Sequence, residues 1–343
     1  MSELDSQYMQ RAFELAKLGF GKVSPNPMVG CVIVHDDKII GEGWHQKYGG
    51  PHAEVNAIND VHDKSLLKDS IAYVTLEPCA HHGKTPPCAD LLIEHSLKRV
   101  VIANQDPFPK VNGGGVQKLE AEGIQTDMGI GLEMGKEINR RFFTYQEKKR
   151  PYIILKWAQT ADAFIARENF DSKWISNEYS RKLVHKWRAE EDAILVGTNT
   201  AKHDNPTLNV RDWKGSDPLR LVIDRNLTLD RGLNLFDGSI NTVCYNAFKD
   251  EESQGLAYKK MDQIDPIKSI LEDLKERNIQ SLIVEGGSAL INSFVSKGLW
   301  DEARVFTSKT TFGSGIQAPG ISGRLVDQED ISGDQLQVFR REI

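Results

Sequence analysis

The sequence predicts an α/β protein of two domains. Three observations carry that prediction. Short apolar runs of strand length alternate with amphipathic stretches of helical period along the whole chain. At 343 residues the chain exceeds the usual size of one domain. A charge run closed by proline, Gln146-Glu147-Lys148-Lys149-Arg150-Pro151, separates two such alternating halves, giving domains over residues 1–147 and 151–343.

In the first half, Asp5 is the expected N-cap of a helix that carries Met9, Ala12, Phe13 and Ala16 on one face and ends near Gly19. Strands over 28–35 and 38–44 follow, joined by the tight turn Asp36-Asp37. Residues 52–61 read as a helix entered through Gly49-Gly50-Pro51. Residues 71–76 form a buried strand, 89–96 a helix, 99–103 a strand and 116–122 a helix. The second half offers strands at 152–156, 193–196, 219–223, 242–245, 281–284 and 303–307. Helices at 178–189, 266–277 and 288–296 lie between them.

Composition bounds the function. Hydrophobic residues make up 39% and charged residues 27%, as in ordinary globular proteins. The net charge of -6 disfavours a nucleic-acid partner. No run reaches the ~20 apolar residues of a membrane span, and the start of the chain reads as an amphipathic helix rather than a signal peptide, so a cytoplasmic protein is expected. Four cysteines in a chain this long are not a disulfide scaffold. Cys31 and Cys244 sit inside apolar runs and read as buried strand residues; the two Pro-Cys pairs do not.

Those pairs, Pro78-Cys79 and Pro87-Cys88, together with His52-Ala53-Glu54, are the most informative motif. One His and two Cys with a nearby Glu are the parts of a zinc deaminase, in which the Glu carries protons and does not ligate. A catalytic zinc keeps one position open and lowers the pKa of bound water to about 7. Cys79 follows a strand, Cys88 opens a helix whose dipole favours a thiolate, and His52 opens another helix with Glu54 in its first turn. A closed structural site would take a fourth ligand from His45, His81 or His82, but would leave Glu54 without a role. Eight residues separate the cysteines where the general deaminase pattern has two. That insert reads as a substrate-contacting loop, with Lys84 available to an anionic group.

The second half has no Gly-x-Gly-x-x-Gly fingerprint after a strand. It has Val284-Glu285-Gly286-Gly287-Ser288 between a strand and a helix, where two glycines let the backbone approach a phosphate.

The run from Pro78 to Cys88, with His52-Ala53-Glu54-Val55-Asn56-Ala57 and Pro25-Asn26-Pro27-Met28-Val29-Gly30-Cys31, resembles the bifunctional riboflavin-biosynthesis deaminase/reductase family. So do Lys156–Thr160, Ser172–Ser176, Trp187–Ala189, Asp192–Gly197 and Thr200–Arg211. The resemblance implies a cytidine-deaminase-like three-layer sandwich followed by a dihydrofolate-reductase-like α/β domain. It implies hydrolytic deamination of 2,5-diamino-6-(5-phosphoribosylamino)pyrimidin-4-one, then reduction of the ribosyl group to ribityl by NADPH. Zn2+ ligands fall on His52, Cys79 and Cys88, the proton shuttle on Glu54, and pyrimidine contacts on Asn26, His45, His81 and Lys84. Cofactor contacts fall on Ala158, Trp174, Thr200, Asp204, Gly286 and Gly287. Contacts to the reductase substrate fall on Ser172, Arg188, Leu208, Arg211 and Glu285. The expected partners are the small-molecule pyrimidine ribotide and further copies of the chain in a homo-oligomer, with neither nucleic acid nor membrane.

One departure bears on the reductase. Where the family carries Ser-Leu-Asp-Gly and a basic residue, this chain has Thr160-Ala161-Asp162-Ala163-Phe164. If that glycine serves close approach to the nicotinamide, Ala163 weakens cofactor binding. Three other readings stay open on the residues: an active deaminase whose second half only binds nucleotide, a nucleic-acid base deaminase, and a zinc-stabilised scaffold whose second half binds a nucleotide without turnover.

Overall fold

The structure is a computed structural model that describes residues 2–80, 86–109, 111–173 and 175–342. Its contacts divide the chain into two compact units, Met1–Lys149 and Arg150–Ile343. Among the described residues no helix is long and apolar enough to cross a membrane.

The first unit runs α1 (Glu3–Lys17), β1 (Gly30–His35), β2 (Lys38–Trp44), α2 (Ala53–Asp60), β3 (Ile71–Val74), α3 (Cys88–Glu94), β4 (Arg99–Ile102), α4 (Gly114–Ala121), β5 (Gln125–Met128), α5 (Leu132–Ile138) and α6 (Arg140–Lys148). Its sheet has the order β2-β1-β3-β4-β5. β1 pairs antiparallel with β2 and β3, while β3, β4 and β5 are parallel. The period-two alternation of β1 builds both layers. Cys31 and Ile33 pack with Ala53, Ala57 and Leu92 of α2 and α3, whereas Val32 and Val34 pack with Met9, Ala12 and Phe13 of α1. Helices on both faces of one sheet make three layers.

Ser2, and not Asp5, caps α1. Asp5 is the third helical residue and returns the bond to the Ser2 backbone, which completes a capping box. Asp5 is also buried against Arg99 and Tyr73, a long-range pairing that local pattern does not reveal.

The second unit runs β6 (Tyr152–Gln159), β7 (Phe164–Ala166), α7 (Glu178–Glu190), β8 (Ala193–Val196), α8 (Thr198–Asp204), β9 (Leu219–Ile223), β10 (Thr242–Asn246), β11 (Glu251–Ser253), β12 (Leu256–Lys260), α9 (Pro266–Glu276), β13 (Ser281–Glu285), α10 (Ser288–Ser296), β14 (Glu302–Thr307), β15 (Ile316–Gln317), β16 (Arg324–Ile331) and β17 (Asp334–Arg340). Ten strands form one sheet in the order β11-β12-β10-β9-β8-β13-β6-β14-β17-β16. The run from β12 to β14 is parallel, and antiparallel strands lie at both edges. Leu195, Leu221, Leu282 and Val284 pack with α9 and α10 on one face. Ile194, Val222 and Ile283 pack with Val184 and Trp187 of α7 on the other.

Candidate active sites

Among the described residues, a cavity gathers candidate site residues in each unit. In the first unit, α2 begins directly after His52 and carries Glu54, and its seat is set by glycines of β2. A Cβ on Gly43 would lie 2.2 Å from the Ala57 nitrogen and 2.5 Å from the Ala53 carbonyl oxygen, so helix and strand meet backbone to backbone. His52 is the N-cap of α2, in extended conformation, rather than its first helical residue. It makes no capping bond, and its ring turns toward the two cysteines instead. Cys88 is the first residue of α3, and Cys79 follows the end of β3.

The His52 Nδ1 lies 3.2 Å from the Cys88 Sγ and 3.7 Å from the Cys79 Sγ. All three donor atoms fall within 4.8 Å of one another. Tetrahedral zinc with Zn–S near 2.3 Å and Zn–N near 2.05 Å places its ligand atoms about 3.5–3.8 Å apart, so this donor set fits zinc. The Cys79 sulfur is held toward the thiolate by the Cys88 thiol, His52 and the Cys88 backbone N–H, which donates to it at 3.2 Å. The Cys88 thiol moves the other way, because Cys79 takes its hydrogen bond and burial adds to the effect.

Glu54 is buried beside this cluster, and burial raises its carboxyl above the ordinary range. Among the described residues no fourth ligand joins the group. His45, one candidate for a closed site, is committed elsewhere. Its Nδ1 faces the Pro51 carbonyl at 2.9 Å and therefore carries the proton. Its Nε2 then accepts from the Asn26 amide at 3.0 Å. That bond orients Asn26, whose side-chain carbonyl oxygen can act as an acceptor in the cavity it lines. Burial lowers the His45 pKa, which keeps the imidazole neutral.

Asn26, His45, His52, Glu54 and Cys79 line one cavity of about 350 Å³. His81 and Lys84 lie outside the described residues. Asp106, Phe108, Phe142 and Gln146 also line the cavity and escaped sequence reasoning, since nothing in their local pattern sets them apart. Asp106 has its carboxyl raised to about 7, through burial first and the neighbouring negative charge of Glu77 next.

In the second unit a cavity of about 670 Å³ opens at the carboxyl ends of β6, β8 and β13. Ligands of open parallel sheets bind at such an edge. Ala158, Ser172, Arg188, Thr200, Asp204, Leu208, Arg211, Glu285, Gly286 and Gly287 all line it. Trp174 lies outside the described residues. Gly286 and Gly287 have φ of +83° and +74°, and a Cβ on Gly286 would lie 2.9 Å from the Thr200 methyl. Both counts require glycine there, and the turn delivers the N-terminus of α10 to the cavity.

Glu285 sits between two cations, with Lys156 Nζ at 2.9 Å and an Arg188 nitrogen at 3.0 Å. Burial alone would raise its carboxyl, but Arg188 and Lys156 outweigh that and hold it near 2. Ser172 and Asp204 hydrogen-bond each other at 3.0 Å. Leu208 is buried with φ of +54°, an unusual state for a leucine, and its flanking carbonyls are pinned. The fully buried Arg220 donates to the Thr207 carbonyl, and His185 and Arg188 donate to that of Asn209. Lys156, His185 and Arg220 were not singled out from sequence; each acts through a partner distant in the chain.

Ala163 is a different matter from the expectation. It has φ of +63°, is exposed, and does not line the cavity, and neither does Phe164. Asp162 holds this turn by accepting from the Phe312 and Gly313 backbone and from the Thr160 hydroxyl. The positive φ is the feature of this position that favours glycine.

Residues 151–337 match the RibD C-terminal domain family, and residues 2–104 match the cytidine and deoxycytidylate deaminase zinc-binding region. Riboflavin biosynthesis protein RibD of Aquifex aeolicus is 40% identical over 332 residues, covering 95% of this chain and 93% of that protein. The protein of the same name from Actinobacillus pleuropneumoniae is 39% identical over 341 residues, covering 96% and 90%. Among solved structures, a diaminohydroxyphosphoribosylaminopyrimidine deaminase/5-amino-6-(5-phosphoribosylamino)uracil reductase from Thermotoga maritima has a TM-score of 0.90 at 37% identity, covering 98% of this chain and 99% of that one. Acinetobacter baumannii RibD has a TM-score of 0.91 at 34% identity, covering 99% of each. The chain therefore belongs to the bifunctional riboflavin-biosynthesis family, whose members join a zinc-binding deaminase domain to a reductase domain.

Proposed function

We propose that the first unit deaminates 2,5-diamino-6-(5-phosphoribosylamino)pyrimidin-4-one and that the second reduces the ribosyl group of the product to ribityl with NADPH. The observation that carries this reading is convergence. Side chains from distant segments meet in two cavities, one with a zinc donor set beside a buried glutamate and one with two cations beside a glycine turn.

In the first cavity His52, Cys79 and Cys88 would hold zinc, which supplies a Lewis acid and an ionisable water when bound. Glu54 moves the proton between water, ring nitrogen and departing amine. A buried carboxyl whose pKa burial raises suits that task, because it holds a proton more readily than an exposed carboxylate. Asn26 and His45 orient the ring, and His81 and Lys84 complete the set of proposed contacts.

In the second cavity Ala158, Trp174, Thr200, Asp204, Gly286 and Gly287 are the proposed cofactor contacts, and NADPH supplies the hydride. The N–H groups at the start of α10 suit its phosphates. Ser172, Arg188, Leu208, Arg211 and Glu285 are the proposed contacts to the ribotide. Arginine suits its phosphate, since guanidinium pairs with phosphate in bidentate fashion. Family membership displaces the nucleic-acid deaminase and scaffold readings.

The test is Glu54→Ala. Ammonia release is expected to fall by at least 10³-fold, with zinc content and reduction of the deaminated ribotide unchanged. Substantial ammonia release by the variant would remove Glu54 from its role.

A further inference from the structure

Glu77 lies three residues beyond the end of β3, two residues before Cys79, and is 4% exposed. No cation is paired with it among the described ion pairs. Its carboxylate instead accepts four backbone N–H groups. One oxygen takes Asp106 at 3.2 Å and Gly113 at 3.0 Å; the other takes Gly115 at 2.9 Å and Val116 at 3.3 Å. Its own N–H donates to the Asn104 carbonyl at 2.9 Å.

Asp106 and Gly113 belong to the segment that leads into α4, and Gly115 and Val116 to the first turn of α4; Asp106, Phe108 and Val111 of that segment line the first cavity. The segment folds on itself locally. Phe108 N–H reaches the Asp106 carboxylate, and Val111 N–H reaches the Phe108 carbonyl. The four bonds to Glu77 join this segment and the start of α4 to the stretch after β3 that delivers Cys79. The fit leaves no slack, because a Cβ on Gly115 would lie 2.0 Å from the Pro78 carbonyl oxygen.

We propose that Glu77 is a positioning residue of the deaminase: its carboxylate fixes the wall bearing Asp106, Phe108 and Val111 against the stretch after β3 that delivers Cys79 and so sets the shape of the ring pocket. The proposal rests on the reading of this cavity as the deaminase site. Glu77 also borders the cavity, but both of its carboxylate oxygens are taken up by backbone N–H groups, so it acts through the wall. Only an ionised carboxylate offers two acceptor oxygens, each able to take two N–H groups. Glutamine has the same shape but turns an NH2 group toward two donors.

Glu77→Gln is the variant of choice, in the full-length zinc-loaded enzyme. The KM for the pyrimidine ribotide is expected to rise at least tenfold while kcat falls less than threefold. Zinc content and reduction of pre-deaminated ribotide should stay at wild-type levels. Glu77→Asp, which keeps the charge, should recover part of the lost KM. An unchanged KM overturns the proposal, and so does a variant that loses zinc, since Glu77 would then be a support of the metal centre alone. Should the variant not fold, hydrogen exchange on the wild-type enzyme decides. The amides of Asp106, Gly113, Gly115 and Val116 are expected to exchange at least 100-fold slower than an exposed loop, and fast exchange at all four overturns it. Failure of the wild-type enzyme to release ammonia from the ribotide would instead refute the reading of the site.

Discussion

Replacing Ala163 with glycine separates two accounts of the turn at 160–163. If the residue mattered by approaching the nicotinamide, glycine would tighten NADPH. The structure places Ala163 outside the cavity lining at φ of +63°, so the effect belongs to the backbone. A left-handed conformation costs an L-residue about 1–2 kcal/mol. Glycine returns about 0.5–1 kcal/mol of that through its freer unfolded chain. The exposed methyl group contributes little packing. The net expectation for Ala163→Gly is therefore a gain of about 0.5–1 kcal/mol, or roughly 1–4 °C in the midpoint of the second unit. The assay is paired: thermal unfolding of the full chain, and the KM for NADPH at saturating ribotide. The KM should stay within twofold. A tenfold lower KM, or a loss of stability, would refute the reasoning.

Other perturbations follow from the same geometry. Gly43→Ala drives a methyl into the Ala53–Ala57 backbone of α2 and should cost about 2–4 kcal/mol in the first unit. Deaminase kcat/KM should fall more than tenfold, with the reductase as internal control. Arg220→Met removes the donor to the Thr207, Asn234 and Ile240 carbonyls; a loss of about 3 kcal/mol in the second unit, measured by urea unfolding, is expected, together with a higher ribotide KM in reduction. Glu285 links stability to acid. Its folded carboxyl ionises near 2 against an ordinary 4.5, so its contribution is complete above about pH 5 and is lost as pH falls toward 2. That loss is on the order of 3 kcal/mol, and a second-unit stability that stays flat from pH 5 to 3 would contradict it.

Much of this was legible because it is local. The strand alternation at Cys31–Val34 assigns each side chain to one of two layers, and the His-x-Glu and Pro-Cys motifs mark the three side chains whose donor atoms the fold brings together. The elements that escaped notice lack such a signal. β16 is exposed along nearly its whole length, so no apolar alternation marks it, and β5 is a polar edge strand. α8 buries Ala201 alone and shows no helical stripe. Residues that act through distant partners were equally silent. The reach of Glu77 to Gly115 spans 38 positions, and Arg220 meets its acceptors only once the loops around it have closed. The glycine-to-alanine exchange at 163 was visible, but its meaning required a dihedral angle.

The central claim is that both reactions occur in this chain, in order. The most direct measurement follows ammonia and NADPH together after the diamino pyrimidine ribotide is added to zinc-loaded enzyme. The account predicts equal amounts of both, with NADPH oxidation lagging behind ammonia. A chelator should abolish ammonia release while leaving reduction of the deaminated ribotide intact. NADPH oxidised without ammonia, or ammonia released at full rate after zinc removal, would contradict it.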